Sequence, residues 1–430
     1  MDEALSHKNR AQMRDADFDK RLNKYNISAK KLLPIIVICV VVDMLGYMMI
    51  MPLLPFYAQS LGASDFTIGI IISLNAVTSL VSGPFWGKLS DKYGRKSILL
   101  VSQMGTLISF IILAAANSMG VLMLSRVVDG LFGGQIPVIN AAIADVTRPE
   151  TRAERMAVMA VSMTVGSIVG PMIGGYLGAI NIVYPAYAAS VMAIIAIVVT
   201  SIIFTETMPE ERRKDLKEWA NESAANAKRL VFTKLVVVRL AEAAALTFAS
   251  GMIFSGLSLI LNYMYGATAS DIGNIMTAMG VCTFIFGGVL MRHVKGWIGE
   301  QRMLLLAIML LITAYAVMPS LPTLVSFIVF IVLFDAGNNF ARPIVSSNIS
   351  RAVDEDQQGL ISGYSITVQS LSRAAAPLVT TSWLELGGLT MGSVFLSRFQ
   401  MISITGIAGC LLFLALFVVD TRITSIEKSD

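Results

Sequence analysis

The sequence has few charged or titratable residues. Asp, Glu, Lys and Arg make up only 14% of its 430 residues, and it contains two histidines. Soluble globular domains carry about 25% charged residues, whereas this chain is 55% hydrophobic and has a mean hydropathy of +0.70. Most of the chain therefore has to lie in an apolar environment, which excludes an ordinary water-soluble fold.

Cysteines and nucleotide-binding motifs are scarce or missing as well. The three cysteines, Cys39, Cys282 and Cys410, lie in long apolar runs, so we expect neither a disulfide nor a metal site. No GxxxxGKS or GxxxxGKT loop occurs, so we expect no ATP coupling and no cofactor. Residues 1–33 are charged and polar and lack the short apolar core of a secretory signal, so we expect the first apolar run to be retained.

Twelve apolar runs dominate the chain. A helix needs about 20 predominantly apolar residues to cross a bilayer, and such runs begin near Pro34, Phe66, Lys96, Met119, Ala153, Val183, Val236, Ile272, Arg302, Leu321, Gln357 and Val394. They predict an all-α membrane protein and in practice exclude a soluble enzyme. A charged stretch splits the runs six and six. We therefore expect an N-terminal segment (1–33), a six-helix bundle (34–204), a linker (205–235), a second six-helix bundle (236–419) and a tail (420–430).

Lysine and arginine are concentrated on one side of the predicted spans. With the amino end in the cytosol, the cytosolic segments carry 28 of the 33 basic residues, and the loops on the other side carry none. Basic loops stay on the cytoplasmic side, so we expect an integral protein of the cell membrane with both termini cytosolic. The net charge of +4 then reflects orientation and anionic lipid headgroups rather than nucleic acid.

The segment GKLSDKYGRK, from Gly87 to Lys96, lies between the second and third spans. Gly87 and Gly94 are expected to permit a tight turn, and Asp91 and Arg95 to form an ion pair at the aqueous face. An ordinary basic loop is the alternative. The complete pattern resembles the loop 2–3 signature of the major facilitator superfamily. This resemblance implies twelve helices in two six-helix bundles, related by pseudo-twofold symmetry, that open alternately to the two sides of the membrane.

A second stretch, INAAIADVTRPETRAER around Asp145, strongly resembles the same region of tetracycline-type efflux proteins. The architecture of that family implies that Asp145 meets Arg95 and Asp91 at an inner gate, which locks one conformation and releases it when the bundles move. The alternative is an acidic helix-end residue that faces water.

The two halves of the chain share residues at a constant offset of 206. The matching pairs are Asp129 with Asp335, Pro137 with Pro343, Ile143 with Ile349, and Pro171 with Pro377. Spans 4 and 5 therefore recur as spans 10 and 11, as is typical of transporters built from two related bundles.

The fifth span contains the glycine-rich run GSIVGPMIGG. Gly166, Gly170 and Gly174 are four residues apart on one helix face, and Pro171 weakens the local hydrogen-bond ladder. The spacing alone is equally typical of a generic packing face between helices. The GPxxGG pattern resembles the helix 5 signature found chiefly in the proton-coupled antiporters of the superfamily.

Several charged residues lie within predicted spans, where each is costly unless it lines a cavity or finds a partner. The acids lie on spans 1, 4, 7 and 10, and the resemblance implies that these four spans line a central cavity. The acids are Asp43, Asp129, Glu242 and Asp335, and the accompanying bases are Arg126, Arg239, Arg342 and Arg373.

Spacing predicts that some of these charges neutralise each other. Arg126 and Asp129 are three residues apart on one helix face, and so are Arg239 and Glu242. Each pair therefore has two interpretations. It is either a structural ion pair or a pair of charged residues that line the central cavity.

The remaining charges have no such local partner. Asp335 and Arg342 are seven residues apart, about 10 Å along a helix axis, which is too far for a direct bond. Arg342 and Arg373 therefore need a partner elsewhere, either a protein acid or an anionic group on a substrate. We predict that Glu242, Asp335, Arg342 and Arg373 belong to the substrate cavity.

Asp43 is the strongest candidate for a proton carrier, because no base lies within one helical turn of it. The surrounding DMLGYMMIMPLLP resembles the helix 1 signature of drug/proton antiporters, and RVVDG resembles their helix 4 signature, in which the Arg influences protonation of the helix 1 acid. Asp129 stands where an amide is common, so Arg126 either serves Asp43 or is occupied by Asp129. A buried, hydrogen-bonded structural acid is the alternative for Asp43.

Together these features predict a proton-coupled exporter of small amphipathic organic compounds that works by alternating access. We expect a monomer whose partners are the lipid bilayer, protons and the substrate. An alternative is a uniporter or proton symporter of an anionic or zwitterionic metabolite. A lipid scramblase or a nontransporting sensor is a remote alternative.

Overall fold

The structure is a computed structural model that describes residues 29–133, 135–148, 151–211, 213, 232–354, 357–391 and 393–427. The predicted segment 1–33 and linker 205–235 lie largely outside these ranges. Nearly all of the described chain is helical, as the long apolar runs predict.

The first half of the described chain contains eight helices. They are α1 (Ala29–Ile50), α2 (Leu54–Ser60), α3 (Asp65–Tyr93), α4 (Arg95–Ala114), α5 (Met119–Phe132), α6 (Gln135–Val146), α7 (Arg152–Ile180) and α8 (Tyr184–Ile203). The first predicted span comprises α1 and α2, and the fourth comprises α5 and α6.

The second half of the described chain continues with six long helices and a small hairpin. They are α9 (Lys234–Tyr265), α10 (Ala269–Thr283), α11 (Met291–Val317), α12 (Phe327–Ser350), α13 (Gln358–Leu386), β1 (Gly388–Met391), β2 (Val394–Ser397) and α14 (Arg398–Glu427). A π-helical segment, Phe284–Leu290, joins α10 to α11, and the antiparallel hairpin pairs Gly388 with Ser397.

Within the described ranges, ten helices are long and apolar enough to cross a membrane. One of them runs for 52 residues from Ala269 to Ser320. Such a helix is about 78 Å long, far more than the roughly 30 Å of a hydrocarbon core. Gly299, at a φ of 79°, breaks it into two spans. The divided helix raises the number of spans to eleven, and α13, a more polar helix of 29 residues, is a further one. The arrangement is consistent with the predicted twelve.

Two predicted boundaries differ from the structure. The last span was expected to begin near Val394, but Val394 to Ser397 pairs as β2 and α14 begins at Arg398. The same helix continues to Glu427, so most of the expected tail is helical.

Equivalent helices of the two halves begin with side-chain caps. The Ser64 hydroxyl accepts the Thr67 N–H ahead of α3, and Thr268 forms a capping box with Asp271 at the start of α10. Each cap satisfies backbone donors that no preceding helical turn can satisfy.

The bundle has two ends with different chemistry. We call the end that carries Gly94, Thr151 and Arg351 the basic end, because the connections there hold most of the described lysines and arginines. The other end, which carries Ser64 and Thr268, is called the opposite end.

Helices α3 and α13 join the two halves on the side of the opposite end. The Phe66 N–H donates to Glu385 Oε2 at 3.0 Å, and Ser73 Oγ donates to the Ala374 carbonyl at 2.7 Å. Gly69 lies against Thr381, where a larger residue would collide. This contact extends from the start of α3 for about 12 Å, roughly a third of that helix.

Helices α7 and α10 join the halves in the same way. A Cβ on Gly175 would lie 2.9 Å from Gly273 Cα, and Thr277 Oγ1 donates to the Ile168 carbonyl at 2.9 Å. These two seams close the opposite end of the bundle. The space between the halves therefore opens toward the basic end.

Candidate functional site

Asp43 lies in the second half of α1 and is half-buried. Gln103 of α4 donates through Nε2 to Asp43 Oδ2 at 3.5 Å. No described Lys or Arg forms an ion pair with this carboxylate, whose charge acts on Cys39, one turn earlier on α1. Among the described residues, Asp43 is therefore bonded to a neutral amide and forms no ion pair.

Arg126 and Asp129 form the predicted pair on α5, with Arg126 Nη1 at 3.3 Å from Asp129 Oδ2. Both are buried, and Asn75 Nδ2 of α3 donates to the same carboxylate oxygen at 2.8 Å. Arg126 also donates to the hydroxyls of Ser109 and Ser125. Asp129 therefore occupies Arg126, and no described bond joins this arginine to Asp43.

The glycines of α7 pack directly on α1 next to Asp43. A Cβ on Gly166 would lie 2.5 Å from Met44 Cβ, and one on Gly170 would lie 2.7 Å from Met48 Cβ. Gly174 meets the backbone of Met49 in the same way. The predicted close helix contact is confirmed, and its partner is the helix that carries the candidate proton site. On the neighbouring face, the Pro171 carbonyl lies against Gly273 of α10.

Arg95 is the centre of a polar cluster at the basic end. Its Nη1 lies 2.7 Å from Asp91 Oδ1, and its Nε lies 3.1 Å from Asp145 Oδ2. The contact of Asp145 with Arg95, which the family resemblance implied, is therefore present. Thr207 Oγ1 also donates to Asp145 Oδ2 at 3.0 Å, so the start of the predicted linker is part of the cluster.

The two glycines of the motif have different surroundings. Gly94 has a φ of 99°, and a Cβ there would lie 2.8 Å from Glu206 Cδ. Glu206 accepts the Arg95 N–H at 2.7 Å and the Lys96 N–H at 3.0 Å, so it caps the first turn of α4. Gly87 has open space and no positive φ, so the expected tight approach at this glycine is wrong for this conformation.

The predicted pair of Arg239 and Glu242 is also wrong. Arg239 Nε lies 3.0 Å from Asp420 Oδ1, and its Nη1 donates to the Asn348 carbonyl at 2.6 Å. Glu242 is fully buried, and neither of its carboxylate oxygens has a hydrogen-bond partner. The reason is that α14 extends beyond its expected end and brings Asp420 closer to the guanidinium than Glu242.

The four predicted cavity residues fall into two groups. Glu242 and Asp335 are buried in this conformation and do not line open space. Arg342 of α12 and Arg373 of α13 are exposed near the middle of their helices. No described acid lies within ion-pair distance of either arginine, so the structure supplies no protein acid in direct contact with them, which was one of the two partners left open by the sequence.

Sequence reasoning missed the polar residues that close the opposite end. Tyr263 OH donates to Asp65 at 2.8 Å and accepts from Gln59 Nε2 at 3.4 Å, and Arg398 stacks on its ring at 4.8 Å. With Phe66 and its partner Glu385, these contacts come from five different helices. No spacing rule connects them, although each is a polar residue at the edge of an apolar run.

Gln103, Asn75 and Glu206 were missed as well. The first two are single amides within apolar spans, which is a detectable signal, but nothing in the sequence assigns them to Asp43 or Asp129. Glu206 follows the last apolar run of the first half and resembles the other linker acids in sequence.

Comparison with known proteins shows the family of the chain. Residues 36–377 match the Major Facilitator Superfamily. The chain belongs to this superfamily. This facilitator is 25% identical over 357 residues to the class H tetracycline resistance protein of Pasteurella multocida. The match covers 80% of this chain and 87% of that protein. It is 26% identical over 366 residues to multidrug resistance protein 2 of Bacillus subtilis, covering 82% and 89%.

Solved structures of other facilitators share the fold. The human organic anion transporter MFSD10 superposes with a TM-score of 0.67 at 21% identity, covering 91% of this chain and 99% of that one. The nucleoside transporter NupG gives a TM-score of 0.73 at 12% identity, covering 90% and 99%. At these identities the likeness concerns the fold of the facilitator and not its substrate.

Proposed function

We propose that this facilitator exports small amphipathic organic compounds in exchange for protons. The observation that carries the proposal is the isolated Asp43 carboxylate, half-buried beside the space between the halves and bonded to a neutral amide instead of a base. Such an acid is able to hold either a proton or a cationic group of a substrate, but not both. The tetracycline and multidrug resistance proteins among its relatives support an export direction.

The distribution of basic residues supports an orientation in the cell membrane with the basic end in the cytosol. In that orientation the structure is an inward-facing state, since its seams close the opposite, outer end. The substrate enters from the cytosol, and a proton from outside later displaces it from Asp43. A proton contributes about 1.4 kcal/mol per unit of pH gradient and about 2.3 kcal/mol per 100 mV.

The other predicted residues take supporting roles in this cycle. Asp91, Arg95 and Asp145 form the inner gate, whose ion pairs have to rearrange when the halves rock. Gly166, Gly170 and Gly174 keep α7 against α1 and so hold the wall that carries Asp43. Arg126 and Asp129 neutralise each other and maintain the shape of the first half.

Transport by the purified full-length protein in liposomes tests the proposal. A pH gradient is imposed, a trapped dye reports internal pH, and ethidium or tetracycline is added to wild type, Asp43→Asn and Asp354→Asn. Asp354 is the matched control because it is exposed and outside the cavity. We expect substrate-evoked proton movement in wild type and Asp354→Asn, and none in Asp43→Asn.

Two results would contradict this scheme. Proton movement that persists in Asp43→Asn would place the proton site at Asp129 or Asp335. Substrate uptake without proton movement in wild type would favour a uniporter, and uptake in the same direction as the proton would favour a symporter.

A further inference from the structure

Two arginines in the middle of the second half form no ion pair with an acid among the described residues. Arg373 is the sixteenth residue of the 29-residue helix α13, and Arg342 is the sixteenth of the 24-residue helix α12. Both side chains are exposed. An unpaired charge at this depth is costly unless it faces water or a ligand.

Arg373 lies on the inner face of α13. Ala376, Pro377 and Thr380, at three, four and seven residues further along, occupy the same face. All three are buried, and Thr380 Oγ1 donates to the Met252 carbonyl of α9 at 2.9 Å. The Pro377 carbonyl packs on α3 of the first half. Ala374, the residue after Arg373, is the last seam contact on this side, because its carbonyl accepts from Ser73. Arg373 therefore lies at the edge of the closed seam, at the inner limit of the open space.

Arg342 lies on the inner face of α12 by the same reasoning. Asn338 and Asn339, at four and three residues before it, contact Ser250 of α9 and Thr283 of α10. Asp335, seven residues before, lies on the same face. Arg342 is thus one turn on the basic side of these contacts and points between α9 and α10.

The two guanidinium groups share one space. The charge of Arg373 acts on Arg342, so the two groups lie within electrostatic reach of each other. Asp335 is the acid whose charge also acts on Arg342, and it does not come within ion-pair distance of that guanidinium. Arg373 also interacts electrostatically with Tyr47, one turn after Asp43 on α1. Arg373 therefore faces the helix of the first half that carries Asp43, and Arg342 lies beside Arg373.

We propose that Arg342 and Arg373 form an anion-binding subsite opposite Asp43, and that the exported compounds are zwitterionic amphipaths. Their carboxylate or other anionic group lies between the two guanidinium groups, which bind such groups through charge-assisted hydrogen bonds. Their cationic group lies at Asp43.

Exchange with protons explains why a zwitterion fits better than a simple anion. Protonation of Asp43 removes a negative charge from the cavity, which would strengthen binding of a purely anionic compound and couple it to protons in the same direction. A cationic group that competes with the proton for Asp43 reverses this coupling. This inference therefore rests on the antiport proposed above, whereas the anion subsite itself does not.

A matched set of probes tests the subsite by binding without any gradient. The probes are a fluoroquinolone with a free carboxylate and a secondary amine, its methyl ester, which is only cationic, and its N-acetyl derivative, which is only anionic. Equilibrium dialysis gives their dissociation constants for the purified full-length protein and for Arg342→Gln, Arg373→Gln, Arg373→Lys and Arg302→Gln. Arg302 is the control, because it is an exposed arginine at the basic end outside the cavity.

We expect wild type to bind the parent compound at least tenfold more tightly than either derivative. The preference over the ester should fall by tenfold or more in each Arg→Gln variant, persist in part in Arg373→Lys, and be unchanged in Arg302→Gln. A wild-type protein without this preference, or Arg→Gln variants that elute as monodisperse protein and keep it, would overturn the subsite.

The two proposals fail in distinguishable ways. A protein that shows the expected binding ratios but moves no protons in liposomes supports the anion subsite and overturns the antiport. A protein that exchanges ethidium for protons but has no preference for the carboxylate overturns the subsite and leaves the antiport standing. Tighter binding of the N-acetyl derivative than of the parent would overturn the zwitterion assignment alone.

Discussion

The Glu206 carboxylate caps the helix that Arg95 begins, accepting the Arg95 N–H at 2.7 Å. The side chain of the same arginine pairs with Asp91 and Asp145. The residue that follows Glu206, Thr207, donates to Asp145. The segment after α8 and the start of α4 are therefore held together by the cluster proposed as the inner gate. A substitution at Glu206 should therefore destabilise this cluster.

Replacing the cap should weaken the first half of the protein. In Glu206→Ala the N–H groups of Arg95 and Lys96 lose their acceptor, and loss of a cap costs about 0.5–2 kcal/mol. We expect a lower midpoint in thermal unfolding of the purified protein, together with slower transport. Glu211→Ala removes an exposed acid a few residues later and should match wild type. Equal unfolding midpoints for the two variants would contradict the capping role.

The two glycines of the GKLSDKYGRK motif should respond differently to alanine. Gly94→Ala requires a side chain at a φ of 99° and brings a methyl group against Glu206. Strain of this kind costs about 1–3 kcal/mol, so the variant should unfold earlier and show weakened gating. Gly87→Ala meets open space in this conformation and should retain wild-type stability in detergent. A destabilised Gly87→Ala with a normal Gly94→Ala would refute this assignment.

Asp129 should matter for folding more than Asp43 does. Asp129→Asn leaves the buried Arg126 charge without compensation, and breaking a buried pair costs about 3–5 kcal/mol. We expect low yield and early thermal unfolding. Asp43→Asn retains a hydrogen-bonding side chain beside Gln103 and should fold normally while losing proton coupling. If both variants fold equally well, Asp129 is not required to neutralise Arg126.

Tyr263 should hold the opposite end closed. Tyr263→Phe removes the hydrogen bond to Asp65, and one such bond contributes about 0.5–1.5 kcal/mol. The population with this end open should rise up to about tenfold. Double electron–electron resonance spectroscopy with spin labels at positions 63 and 389, in a cysteine-free background, measures the distance between the two halves at this end. An unchanged distance distribution would show that the apolar seam suffices for closure.

Glu300 provides a pH dependence outside the membrane-spanning segments. It lies beside the break at Gly299, and hydrogen bonds from Arg351 and Lys295 lower its pKa from the usual 4.5 to about 2. The ionised group stabilises the fold above about pH 4.5, and this stabilisation is lost as the pH falls toward 2. The unfolding midpoint of Glu300→Gln should lie below that of wild type at pH 7. The difference between the two unfolding midpoints should decrease as the pH falls below 4.5. A difference that does not depend on pH would exclude the Glu300 carboxylate as its source.

Local patterns along the chain were sufficient for much of the architecture. The apolar runs predicted the helices because a span needs an uninterrupted apolar length. The glycines at 166, 170 and 174 predicted a close helix contact because their spacing places them on one face. The Asp91 and Arg95 pair followed from a separation of one helical turn.

Partners that are distant in sequence could not be predicted in this way. Arg239 has Glu242 three residues away, yet it bonds Asp420, because α14 runs longer than hydropathy suggested and places a carboxylate nearer. Arg126 had two possible acids. Only the packing of α5 against α3 and α4 shows that it bonds Asp129 and Ser109, and that Asn75 donates to the same Asp129 carboxylate.

The sequence by itself thus determined the helices, their division into halves and the set of charges that the membrane must accommodate, since these depend on apolar length and neighbouring residues. Only the tertiary structure decided which charges neutralise each other and which face open space. That outcome depends on the rotation and end points of helices far apart in the chain, and it left Asp43, Arg342 and Arg373 without an ion pair among the described residues.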